Sequence, residues 1–195
     1  MKQEPPQPSD AEVVAAVLKG DKEQFGEIVK RYQGRLVNFL YRLLYDHAEA
    51  HDLAQEVFFK TFQALDRYDP GYKFSTWLFR VGQNAAIDRL RKRRLKFVSL
   101  DRPSRDPDSD STWEFPARER GPYGEYRNTE RGDAISRAIR ALPWEYRELI
   151  VMRHYGELSY AEIADVKKLP LGTVKNKLFR ARQMLKESLA DFLTD

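Results

Sequence analysis

The chain of 195 residues is predicted to be all-α, as two small helical domains. Three observations predict this. Apolar residues recur at three- and four-residue spacing, the period of one helix face. Helix-start signals repeat: Ser9 with Glu12 and Ser159 with Glu162 have capping-box spacing, Asp21 with Gln24 is a weaker version, and Pro143 and Pro170 suit a first helical turn. Strand-type alternation is scarce.

Composition narrows the function classes. Charged residues make up 33% and apolar residues 42%, with a formal net charge of +4. The positive charge is uneven. Arg89 to Lys96 reads RLRKRRLK, six bases and no acid. Such clusters point to polyanion partners more strongly than net charge does. With no cysteine, disulfides, thiolate zinc sites and redox thiols are excluded within this sequence. The N-terminal MKQEPPQPSD lacks the apolar core of a signal peptide, and no apolar run is long enough to span a bilayer. The expectation is a cytoplasmic protein without membrane insertion.

Residues 1–9 are expected to be a disordered tail, and 10–96 the first helical domain. Within it, DLAQEVFFKTFQAL (Asp52–Leu65) places Leu53, Ala54, Val57, Phe58, Phe62 and Leu65 on one apolar face. Asp52, Gln55, Glu56, Phe59 and Gln63 share the other side. An acidic, amide-bearing face around an aromatic suits a protein partner.

The next helix, FSTWLFRVGQNAAIDRLRKRR (Phe74–Arg94), takes Ser75 as its N-cap. Leu78, Phe79, Gly82, Ala85, Ala86 and Leu90 form the inward arc. Trp77, Arg80, Asn84, Asp88 and Arg91 form the outward arc, and Tyr68, Tyr72 and Phe74 lie just upstream. Aromatics beside cations suit single-stranded nucleic acid. Rings stack on bases at ~1–3 kcal/mol each while Arg and Lys follow phosphates.

Residues 97–130 break the pattern with four prolines, two glycines and eight acids against five bases, a balance of −3. They are expected to form a linker. Residues 131–195 form the second domain, ending in LSYAEIADVKKLPLGTVKNKLFRAR (Leu158–Arg182). Here Val174, Leu178, Ala181, Leu185 and Leu189 make a core stripe. Lys175, Asn176, Phe179, Arg180, Gln183 and Lys186 fall opposite. With Ile163 on the preceding helix, this is a helix-turn-helix whose second member suits a major groove. Lys and Arg can engage phosphates or guanine, Asn and Gln suit adenine, and Phe179 a thymine methyl.

These segments resemble a known family. LPLGTVKNKLFRARQML, with the preceding LPWEYRELIVMRHYGELSY, is similar to the promoter-reading helix-turn-helix of bacterial sigma factors, especially the extracytoplasmic-function group. HAEAHDLAQEVFFKTFQAL resembles the helix that docks on the β′ clamp coiled coil of RNA polymerase, and FSTWLFRVGQNAAIDRLRKRR the segment that melts the minus-ten element. The resemblance implies partners: core polymerase (β′ clamp helices and β flap), double- and single-stranded promoter DNA, and an anti-sigma factor. It assigns Asp52, Gln55, Glu56, Phe59 and Gln63 to polymerase; Tyr72, Phe74, Ser75, Trp77, Arg80, Asn84, Asp88 and Arg91 to the minus-ten strand; and Thr173, Lys175, Asn176, Phe179, Arg180 and Gln183 to the minus-thirty-five element. Lys168 stands where the family usually has a turn glycine.

Two rivals fit less well. A response-regulator-type helix-turn-helix protein shares a T-V-K run but usually carries a β-containing sensor domain, for which 10–96 shows no pattern. An enzyme would need a motif. His47 and His51 in HAEAH are not in HExxH order, and no Gly-rich phosphate loop, G-x-S-x-G elbow or Cys nucleophile occurs. No catalytic residue, metal, cofactor or small-molecule substrate is expected.

Overall fold

The structure is a computed structural model that describes residues 8–100 and 130–190, with side chains for 8–93 and 132–190. The expected tail (residues 1–7) and most of the expected linker (101–129) lie outside the described residues, as do the side chains of Arg94 and Lys96. Every regular element among the described residues is helical.

The first unit begins at a capping box. Ser9 Oγ accepts from Glu12 N at 3.3 Å, and the Glu12 carboxylate accepts from Ser9 N at 2.7 Å, opening α1 (Asp10–Leu18). Asp10 accepts from Arg31 at 2.9 Å and from the Tyr32 hydroxyl at 2.5 Å, which ties α1 to α2 (Phe25–Leu44). Between them, Asp21 and Gln24 bound a 3-10 turn without a side-chain cap, so that weaker start signal does not build a capping box. Along α2, Phe25, Ile28, Tyr32, Leu36, Phe39, Leu40 and Leu43 are buried at helical spacing. The helix stops at Tyr45, left-handed at φ 55°, whose N–H still donates to Tyr41 O.

Helix α3 (His47–Gln63) starts on Asp46, which accepts from Glu49 N at 3.0 Å. It buries Leu53, Ala54, Val57 and Phe58. Helix α4 (Phe74–Leu100) begins at Phe74, because Lys73 O accepts the N–H groups of Thr76 and Trp77. Ser75 therefore sits inside the first turn and is not the N-cap. The helix continues to Leu100, past the expected boundary at 96. Its inward arc is as expected: Leu78, Phe79, Ala85, Ala86 and Leu90 are buried. Gly82 permits the close crossing on α2, since a Cβ there would lie 3.1 Å from Leu36 Cδ1.

The second unit comprises α5 (Glu130–Ala141), α6 (Trp144–His154), α7 (Tyr160–Lys167) and α8 (Leu171–Ser188). Pro143 and Pro170 occupy the cap positions of α6 and α8, one residue before the first helical turn. Ser159 and Glu162 form the expected capping box of α7. Lys168 is left-handed (φ 52°) and turns the chain into α8 after Leu169 and Pro170. A non-glycine there costs about 1 kcal/mol. Ile163, Val174, Leu178 and Ala181 belong with Leu149, Ile150 and Met152 to a core cluster that continues into the buried residues of the first unit. The units pack together, α2 on α6 and α4 on α7.

Two glycine substitutions test these contacts. An alanine Cβ at Gly156 would meet the Met152 carbonyl at 2.8 Å, while Gly34, exposed in mid-α2, has no atom within 4 Å. Urea unfolding should show Gly156→Ala losing about 1–3 kcal/mol and Gly34→Ala gaining about 0.5–1 kcal/mol.

Candidate nucleic-acid and polymerase interfaces

Helix α8 is held by its core stripe. Val174, Leu178 and Ala181 are fully buried, and Leu185 and Leu189 are half-buried. That anchoring turns Lys175, Asn176, Phe179, Arg180, Gln183 and Lys186 outward, all exposed, with Thr173 half-buried at the edge. Phe179 is 61% exposed. The five cations of this helix divide into two sets. Lys177 pairs with Glu145 and lies 5.5 Å from the Tyr146 ring, and Arg182 donates to the Tyr160 hydroxyl at 2.7 Å. They brace α8 against its neighbours. Lys175, Arg180 and Lys186 stay on the solvent arc.

Helix α4 separates the expected strand-facing residues. Tyr72 is 59% exposed, and Asn84, Asp88 and Arg91 are exposed along one line, Asp88 with Arg91 at 3.8 Å. Trp77 is half-buried. Phe74 departs from expectation. It is 1% exposed, packed against Tyr32, Tyr68 and Trp77, and Tyr68 is buried with it. Starting α4 at Phe74 turns this ring inward, so it supports Trp77 from below rather than presenting a face. Ser75 is half-buried beside Tyr32.

On α3, Asp52, Gln55, Glu56, Phe59 and Gln63 are all exposed, and Phe59 is 61% so. The basic cluster of α4 is partly spent against this helix. Arg89 reaches Glu56 at 2.5 Å and Glu49 at 3.8 Å, and Arg93 reaches Glu49 at 3.4 Å. These cations fasten α4 to α3, leaving Arg91 and Lys92 exposed.

Where the units meet, buried apolar residues of both belong to one core cluster, and polar contacts join them as well. Thr76 Oγ1 donates to Glu162 at 2.7 Å, and Lys73 lies 3.5 Å from the same oxygen. Arg80 pairs with Asp165. Buried Gln83 donates to Glu148 at 2.9 Å, and Lys167 closes on Glu148 at 2.7 Å. Arg35 pairs with Glu157 at 2.9 Å, and Arg42 donates to Ser136 at 2.5 Å while lying 4.9 Å from the Tyr155 ring.

Two protein-family models match in chain order: Sigma-70 region 2 over residues 28–96, and Sigma-70, region 4 over 132–185, together more than half of the chain. The ECF RNA polymerase sigma factor SigW of Bacillus subtilis is 34% identical over 179 residues, 91% of this chain and 95% of its own length. The chain belongs to the sigma-70 family, in its extracytoplasmic-function group.

It is thus an alternative sigma factor acting in transcription initiation. The RNA polymerase sigma-H factor of Pseudomonas aeruginosa is 32% identical, covering 97% of this chain and 98% of that one. The fold is also that of two solved structures. CnrH in complex with the cytosolic domain of CnrY has a TM-score of 0.65 at 24% identity, over 94% of this sigma factor and 99% of that chain. RpoE in complex with the anti-sigma factor NepR, from Bartonella quintana, has 0.64 at 24%, over 86% and 98%. Among the described residues of this sigma factor, no helix is long and apolar enough to cross a membrane.

Residue patterning missed the side chains at the junction. Gln83 was legible as a polar residue inside a buried stripe, where an amide must find a partner. Glu162 was legible only as the third residue of a capping box, which hid its second contact.

Glu162 gives a pH test. Burial pushes its pKa up, but hydrogen bonds from the Ser159 hydroxyl, Thr76 and the Ser159 N–H, with the charge of Lys73, outweigh burial and hold it at about 2. A depressed carboxylate contributes stability that is complete above its unfolded value and lost as pH falls through its folded one. The stability gap between wild type and Glu162→Gln, from urea unfolding, should be constant above pH 4.5 and shrink as pH falls towards 2.

Proposed function

We propose that this alternative sigma factor divides promoter recognition between two units, residues 10–96 and 131–195, joined by the linker at 97–130. The first unit docks on the β′ clamp helices of core RNA polymerase through Asp52, Gln55, Glu56, Phe59 and Gln63 of α3. It captures the minus-ten strand along α4 and its upstream loop through Tyr72, Trp77, Arg80, Asn84, Asp88 and Arg91, with Ser75 at the margin and Phe74 as buried support. The second unit sits at the β flap and reads the minus-thirty-five duplex through Thr173, Lys175, Asn176, Phe179, Arg180 and Gln183. The observation that carries this reading is the exposed arc of α8, fixed outward by a fully buried stripe on the opposite face.

The two DNA contacts use different physics. In a duplex groove, Lys175, Lys186 and Arg180 neutralise phosphates and set register, while the amides of Asn176 and Gln183 face base edges. On α4, bases that leave the stack are held by rings. Unstacking costs a few kcal/mol, and each stacked base returns ~1–3 kcal/mol. Strand opening then follows from binding alone, without ATP and without a catalytic residue. Acidic side chains of the linker would follow the polymerase channel between the two docking points.

The solved structure of RpoE, similar in fold, holds that sigma factor in complex with the anti-sigma factor NepR. By the same logic this factor is held in check in the cytoplasm by an anti-sigma protein covering its docking faces.

The direct test is in vitro transcription with core polymerase on a promoter library. Transcripts should start at a defined subset of sites only when this chain is present, and a library transcribed equally without it would refute the reading. Substitutions should separate the faces. Arg180→Ala or Lys175→Ala should weaken promoter binding by about 1–3 kcal/mol, leaving core polymerase affinity unchanged in fluorescence titration. Asp52→Ala with Phe59→Ala should do the reverse. That pair is cleaner than one including Glu56, which also anchors Arg89. Equal losses of both activities in both variants would contradict the division.

A further inference from the structure

The loop that leads into α4 is exposed from Asp69 to Lys73, yet its polar groups are bonded to one another. The Asp69 carboxylate accepts from the Gly71 N–H at 2.8 Å, and the Asp69 carbonyl accepts from the Tyr72 N–H at 3.1 Å. The Tyr72 carbonyl in turn accepts from the Tyr68 hydroxyl at 2.6 Å. A Cβ at Gly71 would lie 3.1 Å from Asp69 Oδ1, so glycine suits this turn. The ring that the turn carries, Tyr72, is 59% exposed.

Tyr68 connects the turn to the buried side of the unit. Its ring lies 5.4 Å from Phe74, edge-on, and 5.5 Å from Trp77. Phe74 rests on Tyr32 at 5.9 Å, and the Tyr32 hydroxyl is held by Asp10. The Tyr68 side chain is thus fixed by packed rings and offers its oxygen to the loop. Burial, with the charges of Asp10 and Asp69, pushes its pKa up, so the hydroxyl stays a proton donor at neutral pH. Core packing accounts for the ring, and phenylalanine would serve it equally. Packing does not account for the oxygen, whose partner is the carbonyl of an exposed residue that water could satisfy.

We propose that Tyr68 is a positioning residue for strand capture: its hydroxyl holds the turn so that the Tyr72 ring is already in place when an unpaired base arrives. This rests on the reading of α4 and its upstream loop as the strand-capturing surface. A loose loop loses backbone freedom when a base stacks on it, and that loss weakens binding. A loop bonded onto itself and onto a buried ring has lost that freedom on folding. Tyr68 touches no DNA and acts through Tyr72.

The test uses holoenzyme, core polymerase with the full chain, on a promoter chosen from the library and pre-opened by mismatches across its minus-ten region. Competition anisotropy at fixed salt reads affinity for wild type, Tyr68→Phe, Tyr72→Ala and the double variant, as a double-mutant cycle. Phenylalanine keeps the ring on Phe74 and Trp77 and removes only the oxygen. Tyr68→Phe should bind about three- to tenfold more weakly, and Tyr72→Ala about tenfold more weakly. In the Tyr72→Ala background, Tyr68→Phe should cause no further loss, because the ring it positions is gone. A comparable loss in both backgrounds overturns the positioning role and makes the hydroxyl a general support of the fold. No loss in the wild-type background overturns it as well. If Tyr72→Ala alone binds as wild type does, the assignment of this loop to strand capture fails, whatever Tyr68 does.

Discussion

Helix α4 crosses α2 so closely that a Cβ at Gly82 would lie 3.1 Å from Leu36 Cδ1, tighter than ordinary contact, and the rest of the structure follows from that crossing. Leu78, Phe79, Ala86 and Leu90 are driven inward by it, which leaves one rotation available to the helix. The outward positions are then determined: Trp77 at the margin, Arg80 over the second unit, and Asn84, Asp88 and Arg91 in solvent. Arg89 and Arg93 complete the anchorage by closing on Glu49 and Glu56 of α3. The same helix that carries the strand-facing groups is therefore fastened to the helix proposed to dock on polymerase.

Charge is distributed by use. Around α8, Lys177 and Arg182 are bound to Glu145 and Tyr160, so only part of the helix's positive charge is available to a polyanion. Around α4, acids from two neighbouring helices answer the bases. Glu49 and Glu56 of α3 are structural, whereas Asp165 and Glu162 of α7 reach from the other unit. Partly exposed ion pairs of this kind contribute little stability individually. Their value is in registering which surfaces meet. The family match explains why both units exist in one chain, but the side chains at their junction are what the fold adds.

Much of this was legible in the residues because helical burial is periodic. The buried stripes of α3, α4 and α8 fell where a 100° wheel puts them, and both Ser-x-x-Glu boxes formed. The exposure of Phe59 and Phe179 was legible for the same reason. What a wheel cannot carry is the helix start. Two residues' difference, with Lys73 rather than Ser75 taking the cap position, turned Phe74 from a presented ring into a core ring. Pro143 and Pro170 missed by a single step. Contacts between helices distant in sequence were also hidden, because Gln83 with Glu148 and Thr76 with Glu162 depend on how two units meet. The basic run from Arg89 looked uniformly free, yet Arg89 and Arg93, about one helical turn apart, reach towards α3.

The central claim is that one unit holds duplex DNA while the other holds unpaired bases. Permanganate reactivity of thymines upstream of the start site tests it most directly, on a promoter selected from the library and bound by core polymerase with this sigma factor. The account predicts reactive, unpaired thymines in the minus-ten region and unreactive, paired ones at the minus-thirty-five element of the same complex. A stably bound complex in which both elements stay fully paired would contradict it.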